Sequence, residues 1–171
     1  MWQCFFCWDA GSSKLCWHSA QAIIALSFGV GDRCQSNQAL ADTALSLFEH
    51  FSLPLLLQGE VADSLPSGTN IALVVRKHRI PGVYLDTREV LEQVAKFAES
   101  RGWSRVIIVA HPDHVWRARL AAERLGFEVF VADTQGVPYD RNSLQPWTRS
   151  KRRFVPREIL ARVFYLLRGW I

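Results

Sequence analysis

The stretch from Arg105 to Asp133 constrains the fold most, because it predicts a strand, a polar turn, a helix and a second strand in succession. The strands are Val106 to Ala110 and Glu128 to Ala132, and strands joined by a helix of this length run parallel. The helix has Asp113 as its predicted N-cap, with Pro112 just outside it, Val115, Ala118, Ala122 and Leu125 as its apolar stripe, and Gly126 as its stop. Ligands of open α/β sheets bind at the carboxyl edge of the strands, which makes the turn after the first strand the predicted site.

Further strands and helices are predicted on the amino-terminal side of this unit and at the carboxyl end. Apolar runs predict three more strands, at Ala22 to Gly29, Leu53 to Gln58 and Val83 to Asp86. Helices are predicted after a cap at Ser36 or Asn37, after a capping box of Asp86 and Glu89, and from about Pro156 to Gly169. Thr69 to Arg79 fits a strand by its β-branched residues or a helix by its length, and we favour the helix. The pattern predicts an α/β domain whose mainly parallel sheet of about five strands is flanked by helices.

The length of 171 residues suits one domain with a sizeable core. We divide the chain into an aromatic, cysteine-containing arm, residues 1–19, and the α/β domain, residues 20–171. The apolar run Ala20 to Gly29 is too short to span a membrane, and the amino end lacks the pattern of a secretory signal. These features predict a cytoplasmic location and reduced cysteines.

The net charge of +4 hides an uneven distribution. From Arg141 to the end, eight basic residues accompany a single acid, Glu158, whereas the rest of the chain has 12 basic and 15 acidic residues. The last segment is therefore the part suited to an anionic ligand, a nucleic acid or a membrane surface. Its basic residues are interleaved with too few aromatic residues to favour nucleic acid.

Polar and charged residues follow the predicted strands and are expected to meet at one edge of a parallel sheet. As catalytic residues we predict His114 as acid-base, with Asp86 or Glu60 as its partner. As ligand-binding residues we predict Ser27, Gly29, Gly31, Arg33, Gln58, Thr87, His111 and Arg117. Asp86 and Asp113 also fit plain helix caps, and capping and function can coexist.

His111 and His114 lie three residues apart across a turn. This spacing suits two ligands of one metal, an acid-base beside an orienting partner, or two ordinary turn histidines. No HExxH or CxxC motif accompanies the pair, and we assign no metal to it. Arg117, one helical turn after His114, is suited either to bind a phosphate or carboxylate or to form a surface salt bridge.

Two further sequence patterns are weaker indications of a ligand or metal site. The loop SFGVGDR, from Ser27 to Arg33, lacks the third glycine of a dinucleotide fingerprint and the GK[ST] of a P-loop, and predicts only a close backbone approach to a ligand. The chain also has no GxSxG motif, which disfavours a serine hydrolase. The amino-terminal arm has suitable ligand atoms for zinc or an iron-sulfur cluster, but its aromatic residues fit an apolar arm packed on the domain equally well, and we expect no metal there. The residues concerned are Cys4, Cys7, Cys16 and His18.

The last predicted helix is amphipathic. Its apolar residues are Ile159, Leu160, Val163, Leu166, Leu167 and Trp170, opposite Arg157, Arg162 and Arg168. The apolar side is suited to pack onto the sheet or to contact a membrane surface, and we favour packing onto the sheet.

A set of short motifs along the chain matches one known family. They are LSFGVG at the end of the first strand, Asp32-Arg33, Gln58-Gly59-Glu60, Asp86-Thr87, His114 to Ala118, Arg157-Glu158 and Gly169-Trp170. With these motifs the chain, from about Ala20 to Trp170, resembles the YdcF/SanA/ElyC-like family, a widespread domain of unknown function with a Rossmann-like α/β fold. The chain departs from the family at Ser27-Phe28, where Gly-Gly is usual, and at Gln58-Gly59-Glu60, where Ser-Gly-Gly is usual. The resemblance implies a site for a small nucleotide-like or phosphorylated molecule.

Two hypotheses of function follow. The first is a cytoplasmic domain that binds a small anionic or nucleotide-like molecule, or one similar to S-adenosylmethionine, with His114 and Arg117 on its charged group. If this domain is an enzyme, we expect group transfer or hydrolysis. The second is a non-catalytic interaction module, in which the basic segment Arg149 to Arg168 contacts a membrane surface or a partner protein. Binding through the basic segment weakens steeply with salt, whereas binding through buried hydrogen bonds does not.

Overall fold

Five strands and five α-helices build the described part of the chain, which in the computed structural model is residues 14–78 and 85–171. The strands are β1 (Ala22–Ala25), β2 (Leu55–Gln58), β3 (Leu73–Val75), β4 (Arg105–Val109) and β5 (Glu128–Val131). The helices are α1 (Gln35–Phe51), α2 (Gly59–Ala62), α3 (Thr87–Glu99), α4 (Pro112–Glu123) and α5 (Lys151–Leu167), with 3-10 helices at Lys14–Ser19 and Pro146–Arg149. All strands are parallel, in the order β3-β2-β1-β4-β5. The predicted α/β class, a Rossmann-like domain with a parallel sheet of five strands, is confirmed.

The central strands β1 and β4 are buried on both faces of the sheet. Ile23 of β1 pairs with Leu55 of β2 on one side and with Ile107 of β4 on the other. Alternate residues point to opposite faces, so Ile23 and Ile24 belong to different core clusters. Strands covered by helices on both faces have no solvent-facing positions, which is why β1 is continuously apolar and β4 is apolar after Arg105.

Helices cover the two faces of the sheet and make a three-layer domain. On one face, Leu40 and Ala44 of α1 pack with Ile23. On the other face, Val94 of α3 and Ala118 of α4 pack with Ile24. Within the described ranges, no helix has both the length and the apolar character to cross a membrane.

Helix α5 crosses the carboxyl ends of the strands. Phe154, near its start, packs in the cluster on the α1 face, and Tyr165, near its end, packs in the cluster of α3 and α4. The Phe154 ring lies 4.7 Å from the ring of Phe28, in the loop after β1. The helix therefore covers the edge of the sheet at which the site is predicted.

The predicted helix over Thr69 to Arg79 is wrong, because the segment contains β3. Leu73 pairs with Leu56 of β2, and the N–H of Ala72 donates to the carbonyl of Leu55. The local pattern fits both structures, and pairing with the free edge of β2 satisfies the backbone groups of the segment in the strand form.

The strand predicted from Val83 to Asp86 is replaced as third strand by β3. Val83 and Tyr84 lie outside the described residues, and Leu85 and Asp86 belong to no strand. Asp86 is instead the N-cap of α3, where its side chain accepts a hydrogen bond of 2.9 Å from the N–H of Glu89. The predicted cap at Asp86 is confirmed.

The cap predicted at Asp113 is wrong, because the preceding histidine takes that role. His111 is the N-cap of α4 and its ring Nδ1 accepts a hydrogen bond of 3.2 Å from the N–H of Asp113. Pro112 occupies the first turn of the helix, where its missing N–H has no cost. The Asp113 carboxylate accepts instead from the hydroxyl of Tyr139 and pairs with Lys151 at 3.2 Å.

The first and last helices also begin elsewhere than predicted. Cys34 occupies the N-cap position of α1, so Ser36 and Asn37 lie inside the helix and are not its caps. Helix α5 begins at Lys151, five residues before Pro156. Proline lacks the N–H that a helix interior uses, but α5 continues through this one lost hydrogen bond.

Helix α5 buries the side opposite to the one predicted. Its buried residues are Phe154, Glu158, Arg162 and Tyr165. Its exposed large apolar residues are Leu160, Val163, Phe164, Leu166 and Leu167. The favoured prediction that the apolar side packs onto the sheet is wrong, because two residues of α4 hold the charged side of α5 inward: Arg117 binds Glu158, and the Trp116 ring stacks on Arg162 at 4.3 Å.

Candidate functional site

A cavity lies where the strand order reverses. The chain leaves β1 towards β2 and leaves β4 towards β5, so a crevice opens between the carboxyl ends of β1 and β4, the usual ligand position in such sheets. The cavity has a volume of about 200 Å³. Its walls come from the loop after β1, the start of α3, and helix α4, and α5 with the preceding 3-10 helix covers it. From these elements the lining includes Ser27, Phe28, Gly29, Asp86, Thr87, His114, Arg117, Trp147, Thr148, Phe154, Arg157, Glu158, Ala161, Phe164 and Tyr165.

A buried ion pair between α4 and α5 forms one wall. The Nε of Arg117 donates to both carboxylate oxygens of Glu158 at 3.1 Å, and its Nη2 donates to Oε2 at 2.9 Å. Arg162, one turn after Glu158, donates to Oε1 at 3.2 Å. We predicted that Arg117 binds a phosphate or carboxylate, and the carboxylate it binds is that of Glu158. One acid is shared by two arginines, so the cluster carries an excess positive charge.

Electrostatics within this cluster favour an ionised glutamate. Burial by itself raises the pKa of Glu158, but Arg117 and His114 outweigh it and lower that pKa to about 2. The side chain of Glu158 is fully buried. A fully buried carboxylate is stable only while its cations stay in place, so α4 and α5 depend on one another for their position.

His114 lies between Arg117 and Thr87. Because a guanidinium only donates, the 3.1 Å contact with Nη2 of Arg117 makes His114 Nδ1 an acceptor and leaves the ring proton on Nε2. Nε2 then donates to the Thr87 hydroxyl at 3.2 Å. Burial, followed by the charge of Arg117, lowers the pKa of His114, although Glu158 opposes this. The ring is therefore neutral at pH 7, with both nitrogens engaged.

The start of α3 brings Asp86 and Thr87 to the cavity. Asp86 caps the helix, and its Oδ1 lies 3.4 Å from the Tyr165 hydroxyl of α5. The same hydroxyl accepts a hydrogen bond of 3.0 Å from the N–H of Arg88. Burial raises the pKa of Tyr165 to about 12. Asp86 is thus held by α3 and α5 together.

Two lining residues keep polar atoms that no described residue uses. Ser27 is 8% exposed, and its hydroxyl forms no hydrogen bond within residues 14–78 and 85–171. Arg157 is exposed, its guanidinium stacks on the ring of Trp147 at 4.0 Å, and it forms no ion pair with another described residue. A hydroxyl donor and a cation at the rim are therefore available to a bound molecule.

The backbone of the glycine-rich loop is held by the protein's own side chains. The N–H of Ser27 donates to Gln58 at 3.0 Å, that of Phe28 to Asn37 at 2.8 Å, and that of Val30 to Ser143 at 3.2 Å. These three donors are consequently not free to cradle a phosphate. Gln58, a predicted ligand residue, does not line the cavity but positions the loop that does.

Gly29 is explained by this loop's packing. Its φ of +94° belongs to the region that glycine favours, and a Cβ there would lie 2.8 Å from the Ser143 hydroxyl. Gly31, with φ of +147°, has Leu144 nearby and does not line the cavity. Close approach between two protein segments therefore accounts for Gly29 without a ligand.

Three further predicted residues lie away from the cavity lining. His111 is buried behind Phe28, with the two rings stacked 3.7 Å apart, and burial lowers its pKa to about 3. Its Nε2 has no hydrogen-bond partner among the described residues. Glu60 lies in the first turn of α2, and Arg33 is exposed in the loop before α1. The structure brings together Ser27, Gly29, Asp86, Thr87, His114 and Arg117 from the predicted set.

Most of the cysteines considered as metal ligands lie outside the described residues. Cys4, Cys7 and the side chain of Cys16 lie outside the described residues. The His18 ring packs against Phe51, with centroids 5.5 Å apart. Where side chains are described, no group of three metal-binding residues comes together.

Sequence reasoning missed the contribution of α5 to the site. Glu158, Arg157 and Tyr165 line the cavity, but none of them is among the predicted site residues, although Arg157-Glu158 is one of the family motifs. One signal was present: Glu158 is the only acid in the basic carboxyl-terminal segment, and a lone acid there suggests a specific partner.

The chain matches none of the protein-family models, curated proteins or solved structures with which it was compared. The Rossmann-like architecture therefore rests on the sheet topology and the helix layers described above. The assignment of a family rests on the motifs in the sequence alone.

Proposed function

We propose that the chain binds a small anionic molecule in the cavity between the carboxyl ends of β1 and β4. The observation that carries this proposal is the pair of available groups at one cavity, the hydroxyl of Ser27 and the guanidinium of Arg157, neither of which is hydrogen-bonded or ion-paired to another described residue. A hydroxyl and a guanidinium that line the same open space can both donate hydrogen bonds to an anion that enters it.

The charges around the cavity favour an anion. Arg117 and Arg162 share the single carboxylate of Glu158, and Arg157 adds a further cation at the rim. His114 is neutral, and Asp86 is the second acid of the lining. The formal charges of these three arginines and two acids sum to +1, and a phosphate or carboxylate bound at Arg157 would reduce this positive charge.

The size of the cavity limits the ligand. Pockets for drug-sized ligands have about 300–1,000 Å³, whereas this one has about 200 Å³. The proposed occupant is therefore the charged end of a nucleotide-like molecule or a small phosphorylated compound. S-adenosylmethionine is the larger of the candidates to test.

We propose binding and assign no reaction. An acid-base needs a ring nitrogen that can reach the substrate, and both nitrogens of His114 are engaged by Arg117 and Thr87. The proposed partner Asp86 caps α3, and Glu60 does not line the cavity. We keep membership of the YdcF-like family and a cytoplasmic location as proposals on the sequence grounds given above.

A thermal-shift measurement with matched variants tests this function. The purified chain is heated with inorganic phosphate, AMP, glucose 6-phosphate or S-adenosylmethionine. A ligand at 100 times its Kd stabilises a protein by about 2.7 kcal/mol, a shift of several degrees. Arg157→Gln and Ser27→Ala should abolish most of that shift, whereas Arg152→Gln, an exposed cation on the same helix, should retain it.

The proposal fails if the folded wild-type chain responds to none of these compounds. It also fails if a responding compound stabilises Arg157→Gln as much as the wild type. His114→Ala, which removes a wall of the cavity, is a second variant in which the shift should disappear.

A further inference from the structure

Helix α5 exposes an apolar face on the side opposite its buried charges. Leu160 is 70% exposed and Leu167 is 81% exposed, with Val163 and Phe164 between them at 41% and 45%. Spacings of three, four and seven residues place these four side chains on one side of the helix. We call them the apolar stripe.

The inward side of α5 explains why the helix does not turn this stripe towards the core. Glu158 is held by Arg117, and Arg162 stacks on Trp116. Rotation of α5 about its axis would bury the leucines of the stripe, but it would also move Glu158 away and leave Arg117 as a buried cation without its acid. The stripe is consequently apolar surface that the folded chain leaves in water.

Cations flank the stripe and no exposed acid accompanies them. Arg152 and Arg153 are exposed in the first turn of α5, and Arg168 follows its end. The only acid of the helix is Glu158, which is 1% exposed. The outward surface of α5 therefore combines apolar and positively charged groups and presents no negative charge of its own.

We propose that the apolar stripe and its flanking arginines bind the surface of an anionic membrane. Apolar residues on one side of a helix, bordered by arginine, are the features of helices that lie in the lipid interface. Arginines add attraction to anionic headgroups, which are abundant on cytoplasmic leaflets. A second copy of the chain is disfavoured as the occupant, because two such faces would bring arginines against arginines.

Sedimentation with vesicles tests this proposal on the full chain. The wild type should bind vesicles that contain phosphatidylserine and bind vesicles of phosphatidylcholine far more weakly. The double variant Arg152→Gln/Arg153→Gln should bind the anionic vesicles about 30-fold more weakly, since each arginine near such a surface contributes about a fivefold effect. Leu160→Ser/Leu167→Ser should weaken binding by at least about tenfold, because two apolar groups lose their burial.

Matched controls separate this face from the rest of the molecule. Lys96→Gln/Arg124→Gln removes two exposed cations, one on α3 and one at the C-cap of α4, and should bind vesicles like the wild type. Phe164 of the stripe also lines the cavity and is left unchanged. The four changed residues of α5 do not line the cavity, so its ligand response should persist in those variants. Loss of vesicle binding and loss of ligand binding are therefore distinguishable.

Three results would overturn the proposal. The first is equal binding to neutral and anionic vesicles, or binding to neither. The second is wild-type binding by Leu160→Ser/Leu167→Ser, which would leave the stripe without a role. The third is a dimer in light scattering that this same variant converts to a monomer, which would make the face a contact between two copies.

Discussion

Replacement of Glu158 by glutamine should destabilise the folded chain by about 3 kcal/mol near neutral pH. The magnitude follows from the pKa of this carboxyl, which the fold lowers from 4.5 to about 2. One pKa unit corresponds to about 1.4 kcal/mol, so a lowering by about 2.5 gives about 3 kcal/mol. Loss of one partner of a buried ion pair costs about 3–5 kcal/mol in other proteins, because the remaining charge stays buried. Here Arg117 and Arg162 would both lose their acid.

The pH dependence gives a second measure of the same interaction. Because the folded pKa of Glu158 lies below its unfolded value, the stabilisation is complete above about pH 4.5 and is lost as the pH falls towards 2. Urea unfolding of wild type and Glu158→Gln between pH 7 and pH 3 should give a free-energy difference that is constant at first and then shrinks. The difference between the two proteins removes the contributions of other titrating groups.

A surface pair provides the control for this experiment. Glu123 pairs with Arg119 at 2.7 Å, but both side chains are about one-third exposed. Glu123→Gln should therefore cost less than about 0.5 kcal/mol. A loss below about 1 kcal/mol in Glu158→Gln at pH 7, or a difference that is unchanged at pH 3, would refute the reasoning.

Three other predictions concern the surroundings of the site. Burial lowers the pKa of His111 from 6.5 to about 3, so this ring makes the folded state less stable as the pH falls from 6.5. In urea unfolding, His111→Asn should reduce the slope of the unfolding free energy against pH by up to about 1.4 kcal/mol per pH unit. Equal slopes for the wild type and the variant would contradict this prediction. Gly29→Ala should lower the Tm by several degrees because it combines a positive φ with a contact of 2.8 Å, whereas Gly136→Ala, with no atom near the added Cβ, should not. Gln58→Leu should cost about 1–3 kcal/mol, because the buried N–H of Ser27 loses its acceptor, and a neutral effect would exclude that role.

Local patterns in the sequence predicted most of the elements that build the sheet. The apolar runs of β1 and β4 have no polar positions because both faces are covered, and that property is visible in the residues themselves. The cap at Asp86 was likewise predictable, since a side chain three residues from its N–H partner needs no tertiary contact. The set of polar residues after the strands followed from the parallel arrangement, which brings strand ends to one edge.

Tertiary contacts decided what the local pattern left undetermined. β3 is a strand because the edge of β2 offers hydrogen bonds to a segment whose own sequence fits strand and helix alike. The cap of α4 shifted to His111, since Asp113 finds Tyr139 and Lys151 from distant parts of the chain. Such competition depends on residues that are far apart in sequence.

The orientation of α5 shows most clearly what local sequence determines and what tertiary contacts decide. Its sequence determined that one side is apolar and that a single acid is set among arginines. Which side faces inward was settled by Arg117, a residue 41 positions before Glu158 on another helix. Inversion of α5 would leave Arg117 buried without its acid, which costs several kcal/mol, and would also expose Phe154 and Tyr165, which the present orientation buries. Sequence alone determined the composition of the two sides, and the tertiary structure decided which of them meets water.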